Sequence, residues 1–273
     1  MPAKVFAAAL ALLTLTACGA EPVPAATFPA ERLALPFDRY RPAFAEETEV
    51  GRARAKLVQA CLHDHGVELD VPPDDRTPGP LDRSPNLRRY GVIDEPTATE
   101  FGYHFPRTPE ERKSQAERRR WSAALTEAQR TALFGERGCT AEADARLTNV
   151  DDDFLTDADF RSLRASERDP RVAKAVAAWR TCMGEQGYGY ETPSAAISDP
   201  RWNLDAEVIP AGEKQTAVAD VHCKVTAHLV EEWHDAEAAV QEQEIQRDRP
   251  RFDRLAAARA ARLASTRRVL GSP

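Results

Sequence analysis

Apolar residues recur every three or four positions along most of the chain, a spacing that predicts helices. The clearest run is 211–246, where Val218, Val221, Val225, Leu229, Trp233, Ala236 and Val240 fall on one face of a single long helix. Residues 46–65 form a second, opening on Glu46 and Glu47 and closing at Gly66. Thr108-Pro109-Glu110-Glu111 has the form of a capping box with proline at the first helical position, and a helix runs from it toward Gly135. Thr126-Glu127-Ala128-Gln129 offers a second cap that breaks this helix near Leu125. Further helices are expected after DDDFLTDAD (151–159), ahead of Cys182 and over 252–269. Strand signals are confined to VELDV (67–71) and YGYE (188–191). The expected fold class is all-α, with little or no strand.

Residues 72–108 break the pattern. They hold seven prolines, with Tyr90, Phe101, Tyr103 and Phe105 interspersed. A stretch this long without periodicity is usually functional or disordered. Its four aromatics make it the expected interaction surface, and an ordered but purely structural wrap over the helices is the alternative.

Two segments repeat. LVQACLHDHGVEL (57–69) and AWRTCMGEQGYGY (178–190) both place a cysteine in a helical lead, then Leu or Met, then a glycine five positions after the cysteine. That glycine is placed to end the helix in a left-handed cap. GCTAEADARL (138–147) and HCKVTAHLV (222–230) share a cysteine with alanine four residues on. Four thiols allow three pairings, and their spacing alone does not choose among them. The repeat favours Cys61–Cys139 and Cys182–Cys223, each tying two helices of one unit. Cys-x-x-Cys, the usual redox arrangement, is absent.

The pairing of WRTCMGEQGYGY with ADVHC resembles uncharacterised exported lipoproteins of high-GC Gram-positive bacteria, whose repeated element is Cys-Met-x-x-x-Gly-Tyr. The first copy departs from it, with Leu62 for Met and Val67 for Tyr. What the resemblance implies is an envelope location.

The N-terminus points the same way. Lys4 precedes a small or apolar run, Val5 to Ala17, too short for a hydrocarbon core that needs roughly 20 residues but suited to an export signal. Leu15-Thr16-Ala17-Cys18 resembles the lipobox of bacterial lipoproteins, which makes Cys18 the expected site of lipidation. Two acyl chains anchor firmly where one is marginal. The Pro- and Ala-rich residues after Cys18 suit an extended spacer. The expected organisation is a signal peptide (1–17), an anchor and tether (18–45), a first Cys-paired helical unit (46–149) carrying the Pro-rich insert, a second unit (150–246) and a basic C-terminal helix (247–273).

Composition narrows the function. Aromatics make up 7% of the chain and the net charge is −7, which argues against a nucleic-acid partner. The last helix is the exception, with eight Arg between Arg247 and Leu270 that could meet anionic lipid or wall polymer or balance charges of the protein itself. His228 and Glu232, four apart, are weak candidates for metal ligation, and no metal or other cofactor is expected. DDDFLTDAD lacks the sixth-position Gly and twelfth-position Glu of a calcium loop and is explained by helix capping. Nucleophile-elbow, phosphate-loop and dinucleotide motifs are absent, so an enzyme is not expected. The leading expectation is a lipid-anchored accessory protein on the outer face of the cytoplasmic membrane, serving a membrane or envelope complex such as a transporter. The alternative is a protein that binds a small ligand or wall component between its two units, and a wall-acting hydrolase ranks third.

Overall fold

Local capping explains where many of the helices start and stop. The computed structural model describes residues 28–271 and contains twelve α-helices, two short 3₁₀ turns and, among the described residues, no strand. The first unit holds α1 (Phe44–Asp64), α2 (Pro80–Arg83), α3 (Glu95–Phe101), α4 (Pro109–Ala124), α5 (Glu127–Phe134) and α6 (Cys139–Arg146). The second holds α7 (Asp152–Ser166), α8 (Pro170–Glu185), α9 (Pro193–Ile197), α10 (Ala211–Thr226) and α11 (Leu229–Arg247), and α12 (Arg249–Leu270) follows. No described helix is long and apolar enough to cross a membrane.

Both expected capping boxes form. Thr108 Oγ1 accepts from Glu111 N at 3.1 Å while Thr108 N donates to Glu111 Oε2. Thr126 and Gln129 repeat the exchange at 3.2 and 3.0 Å and start α5. α1 and α8 end alike. Gly66 (φ 68°) and Gly187 (φ 87°) take the left-handed conformation that costs glycine nothing. Val67 N then reaches back to Leu62 O at 2.8 Å, and Tyr188 N to Met183 O at 2.9 Å. The two copies of the repeat are thus the same helix ending.

The disulfides join Cys61 to Cys139 and Cys182 to Cys223, closing loops of 78 and 41 residues. The likeness weakens at the second cysteine of each pair. Cys139 opens α6, whereas Cys223 lies near the end of α10. An internal core of Leu57, Leu62, Leu133 and Leu147 surrounds the first bridge, and Trp179, Met183, Val221 and Leu229 surround the second.

Several expected boundaries are corrected by packing. The tether does not extend to residue 45: Phe28, Leu33, Leu35, Phe37 and Tyr40 are buried, and each such side chain gains about 1.5–3 kcal/mol by leaving water. Phe37 N donates to Gln241 Oε1 at 2.9 Å, and Phe252 gathers Phe37, Tyr40 and Phe154 around its ring. The expected signal peptide and Cys18 lie outside the described residues. The Pro-rich insert is not a loop over the first unit. Its α3 packs on α10, and Val92, Ala98 and Tyr103 enter the core of the second unit. The C-terminal helix is not a separate element either, since α12 packs along α1.

The long helix expected over 211–246 is two. The break falls at His228, whose φ of 51° is the left-handed exception among non-glycine residues described. Tertiary packing decides it: α10 lies on α3 and α8, while α11 lies on α7 and α8. Val225, expected on the buried stripe, is consequently 40% exposed. DDDFLTDAD does not precede its helix but forms its first turns, with Asp151 as N-cap. VELDV forms no strand, and its backbone at Leu69 and Val71 is held by the Gln59 amide at 3.0 and 2.8 Å.

Candidate binding cleft

The residues expected to form a contact surface mostly do not reach it. Tyr90 and Tyr103 are 3% and 1% exposed, because the insert that carries them is part of the core. Tyr90 donates to Glu237 Oε2 at 2.9 Å, and Tyr103 N donates to the buried Glu213 at 2.9 Å. Phe101 is half-buried, and Phe105 alone of the four is largely exposed, beneath the Arg88 guanidinium. His228 is exposed at the helix break, and its carbonyl accepts from Glu232 N at 3.1 Å. These two residues belong to no group of three convergent metal donors among the described residues. Cys61, His65 and Cys139 do converge, but the two sulfurs are bonded to each other and offer no thiolate.

Buried ions hold the insert in place instead. Arg89 pairs with both Asp159 of α7 and Glu237 of α11, and Ser162 and Gln241 complete the Glu237 shell. A buried ion pair persists only where hydrogen bonds satisfy both charges, as they do here.

The feature suited to a ligand is an open cleft of about 480 Å³ where four distant stretches meet. The start of α1 contributes Phe44, Glu46, Glu47 and Val50, and the α2 region contributes Leu81, Asp82 and Pro85. Asp152, Leu155 and Thr156 come from α7, and Arg259, Arg262 and Leu263 from α12, with Arg41 and Pro42 at one end. Capping sets the α7 wall: Asp151 accepts from Phe154 N at 3.2 Å, which places Asp152 in the first turn. On α12, Arg259 and Arg262 are three apart, hence on one face, and both reach Asp152, at 2.6 and 3.4 Å. Four of the basic tail's arginines thereby find carboxylates, since Arg251 pairs with Asp151 and Arg267 with Glu49.

Partial burial raises the Glu47 carboxyl above its ordinary value, with Asp82 and Asp152 adding to the rise and Arg76 and Arg259 opposing it. Burial lowers the Arg259 guanidinium, the Arg262 charge acts in the same direction, and Asp152 opposes both. The sequence marks Glu47 only as a helix start, Asp152 only within the acidic run and Arg259 and Arg262 only within the basic tail, because each looks like an ordinary solvated charge until the four stretches are brought together.

A second groove, of about 540 Å³, runs between α1, α4, α5 and residues 71–76. Val71, Pro72, Pro73, Trp121 and Leu133 line it beside Phe134, which is 58% exposed. Compared with family models, with curated proteins and with solved structures, the chain matches none of them.

Proposed function

We propose that this is a non-catalytic binding protein of the cell envelope, acylated at Cys18 on the outer face of the cytoplasmic membrane, which holds a small ligand in the cleft between α1, α7 and α12. The observation that carries the reading is the cleft itself, a concave site where the two Cys-paired units and the C-terminal helix meet, in which charged side chains from α1, α7 and α12 stand among Phe44, Val50, Leu155 and Leu263. The lipidation reading rests on Leu15-Thr16-Ala17-Cys18. The test is thermal unfolding against a panel of amino acids, short peptides, sugars and polyols. A compound that raises Tm in the wild type but not in Leu263→Trp, where the indole fills the cleft, supports the reading. A panel without such a compound counts against it.

The accessory reading is second, and a different surface favours it. Phe134 beside Trp121 leaves an apolar groove open to solvent. Crosslinking in intact cells, with Phe134→Glu as the control, tests whether one membrane complex is captured there.

A further inference from the structure

The charges of the cleft are unevenly matched. On the α12 wall two guanidiniums share the single carboxylate of Asp152, and the Nε of each has no hydrogen-bond partner among the described residues. That wall carries a positive excess. On the α1 wall the exposed Glu47 carboxylate has, among the described residues, no hydrogen bond or ion pair; Arg76 acts on it electrostatically from a distance, and Asp82 adds a like charge nearby. Glu47 and Arg259 act on each other electrostatically, yet they are too far apart to form an ion pair. The other charges are committed: Arg41 to Asp38 and Asp159, Glu46 to Ala43 N, and Asp82 to Gly79 N. Leu155, Val50 and Leu263 provide apolar wall.

Building on the binding reading above, we propose that the cleft selects a zwitterion of dipeptide size, its carboxylate against Arg259 and Arg262, its ammonium against Glu47, and its aliphatic side chains along Leu155 and Leu263. Guanidinium–carboxylate hydrogen bonds are charge-assisted and among the stronger ones available. A ligand with one charge satisfies one wall and leaves the other as it was. A simple anion also meets the Glu47 charge, which has no ion-pair partner among the described residues, and a simple cation meets the arginines, so selection works by repulsion as well as attraction. At about 3.3–3.6 Å per extended residue, two residues carry their termini roughly 7 Å apart, beyond direct ion-pair reach, as Glu47 and Arg259 also are.

Three ligands with the same apolar body test the proposal: leucyl-leucine, N-acetyl-leucyl-leucine and leucyl-leucinamide. Their affinities for the full-length protein are measured by titration calorimetry. Expected is binding of leucyl-leucine at least about tenfold tighter than either blocked form. In Glu47→Gln the N-acetyl form should no longer be disfavoured, and in Arg259→Gln the amide should no longer be, which assigns each terminus to its wall. Equal binding of all three, lost in Leu263→Trp, overturns the zwitterion and leaves the binding reading standing. No binding by any of them also overturns it while another compound still fills the cleft, and if no compound does, both fall. Binding that survives Leu263→Trp lies elsewhere and overturns it as well.

Discussion

Asp220 and Lys224 stand one turn apart on α10 and meet at 2.8 Å with both side chains closed off from water. Trp179 Nε1 donates to the other Asp220 oxygen at 2.9 Å, and Lys224 Nζ also donates to Val92 O at 3.0 Å. The pair therefore fastens the Pro-rich insert to the second unit. Burial raises the Asp220 carboxyl and lowers the Lys224 ammonium, so each needs the other's charge to stay ionised.

Removing one partner should cost far more than removing both. Lys224→Met leaves an uncompensated buried carboxylate, and a loss of about 3–5 kcal/mol is expected. Asp220→Leu combined with Lys224→Met should cost much less. Urea unfolding of both variants decides it, and equal losses would refute the view that the pair is a compensated charge.

Glu47 gives a pH dependence of known sign. Its folded pKa is raised above the ordinary glutamate value of 4.5. Between those two values the native state holds more protons than the unfolded one, so stability falls as pH rises through that window. Glu47→Gln removes this loss. The variant should be more stable than wild type at pH 7, by less than about 0.5 kcal/mol because the group is largely solvated, with the gain vanishing below about pH 4. Melting curves across pH check this. A gain that persists at pH 3 would point to some other cause.

The paired helix endings should respond alike. A Cβ at Gly66 or Gly187 meets nothing within 4 Å, so substitution there strains only the backbone. Gly66→Ala and Gly187→Ala should each cost about 1–2 kcal/mol. Gly66→Asn should cost less, since asparagine tolerates the left-handed region. Chemical denaturation of the three variants gives the comparison.

The anchor is tested directly. Cells fed a labelled fatty acid should incorporate it into the wild-type protein and not into Cys18→Ala, and the variant should leave the membrane fraction. Label retained in Cys18→Ala would remove the lipidation reading.

Features set by neighbours in sequence are the legible ones. Thr108 with Glu111, Thr126 with Gln129, and the glycines after Cys61 and Cys182 each act within one helical turn, and their structures follow from residue type and spacing. The disulfide pairing is long-range and legible by another route, the repeat around Cys61 and Cys182, although Cys139 and Cys223 sit at different ends of their helices. What stays hidden depends on distant segments. Asp220 and Lys224 have the four-residue spacing of an ordinary solvated pair. Tyr90 and Tyr103 have the setting of loop aromatics; Glu237 accepts from the Tyr90 hydroxyl, and Tyr103 is buried by packing into the core around Trp179. Nothing near His228 announces a break, which arises because the two halves of the expected helix pack on different neighbours. The cleft is the extreme case, assembled from four stretches between Arg41 and Leu263 that share no motif.

The contact of α12 with α1 also bears on the order of events in time. Val269 and Leu270 pack on the core around Leu57 and Leu62, Lys56 Nζ donates to Val269 O at 2.9 Å, and Arg267 reaches Glu49. A chain that emerges N-terminus first presents the apolar face of α1 long before residues 249–270 exist to cover it. Cys139 arrives earlier, so Cys61 has its bonding partner before the helix that covers this core has emerged. The last helix then acts as a clasp. A ribosome that stops after Asp248 would make an unclosed version of this protein, with its oldest helix waiting for a partner that never comes.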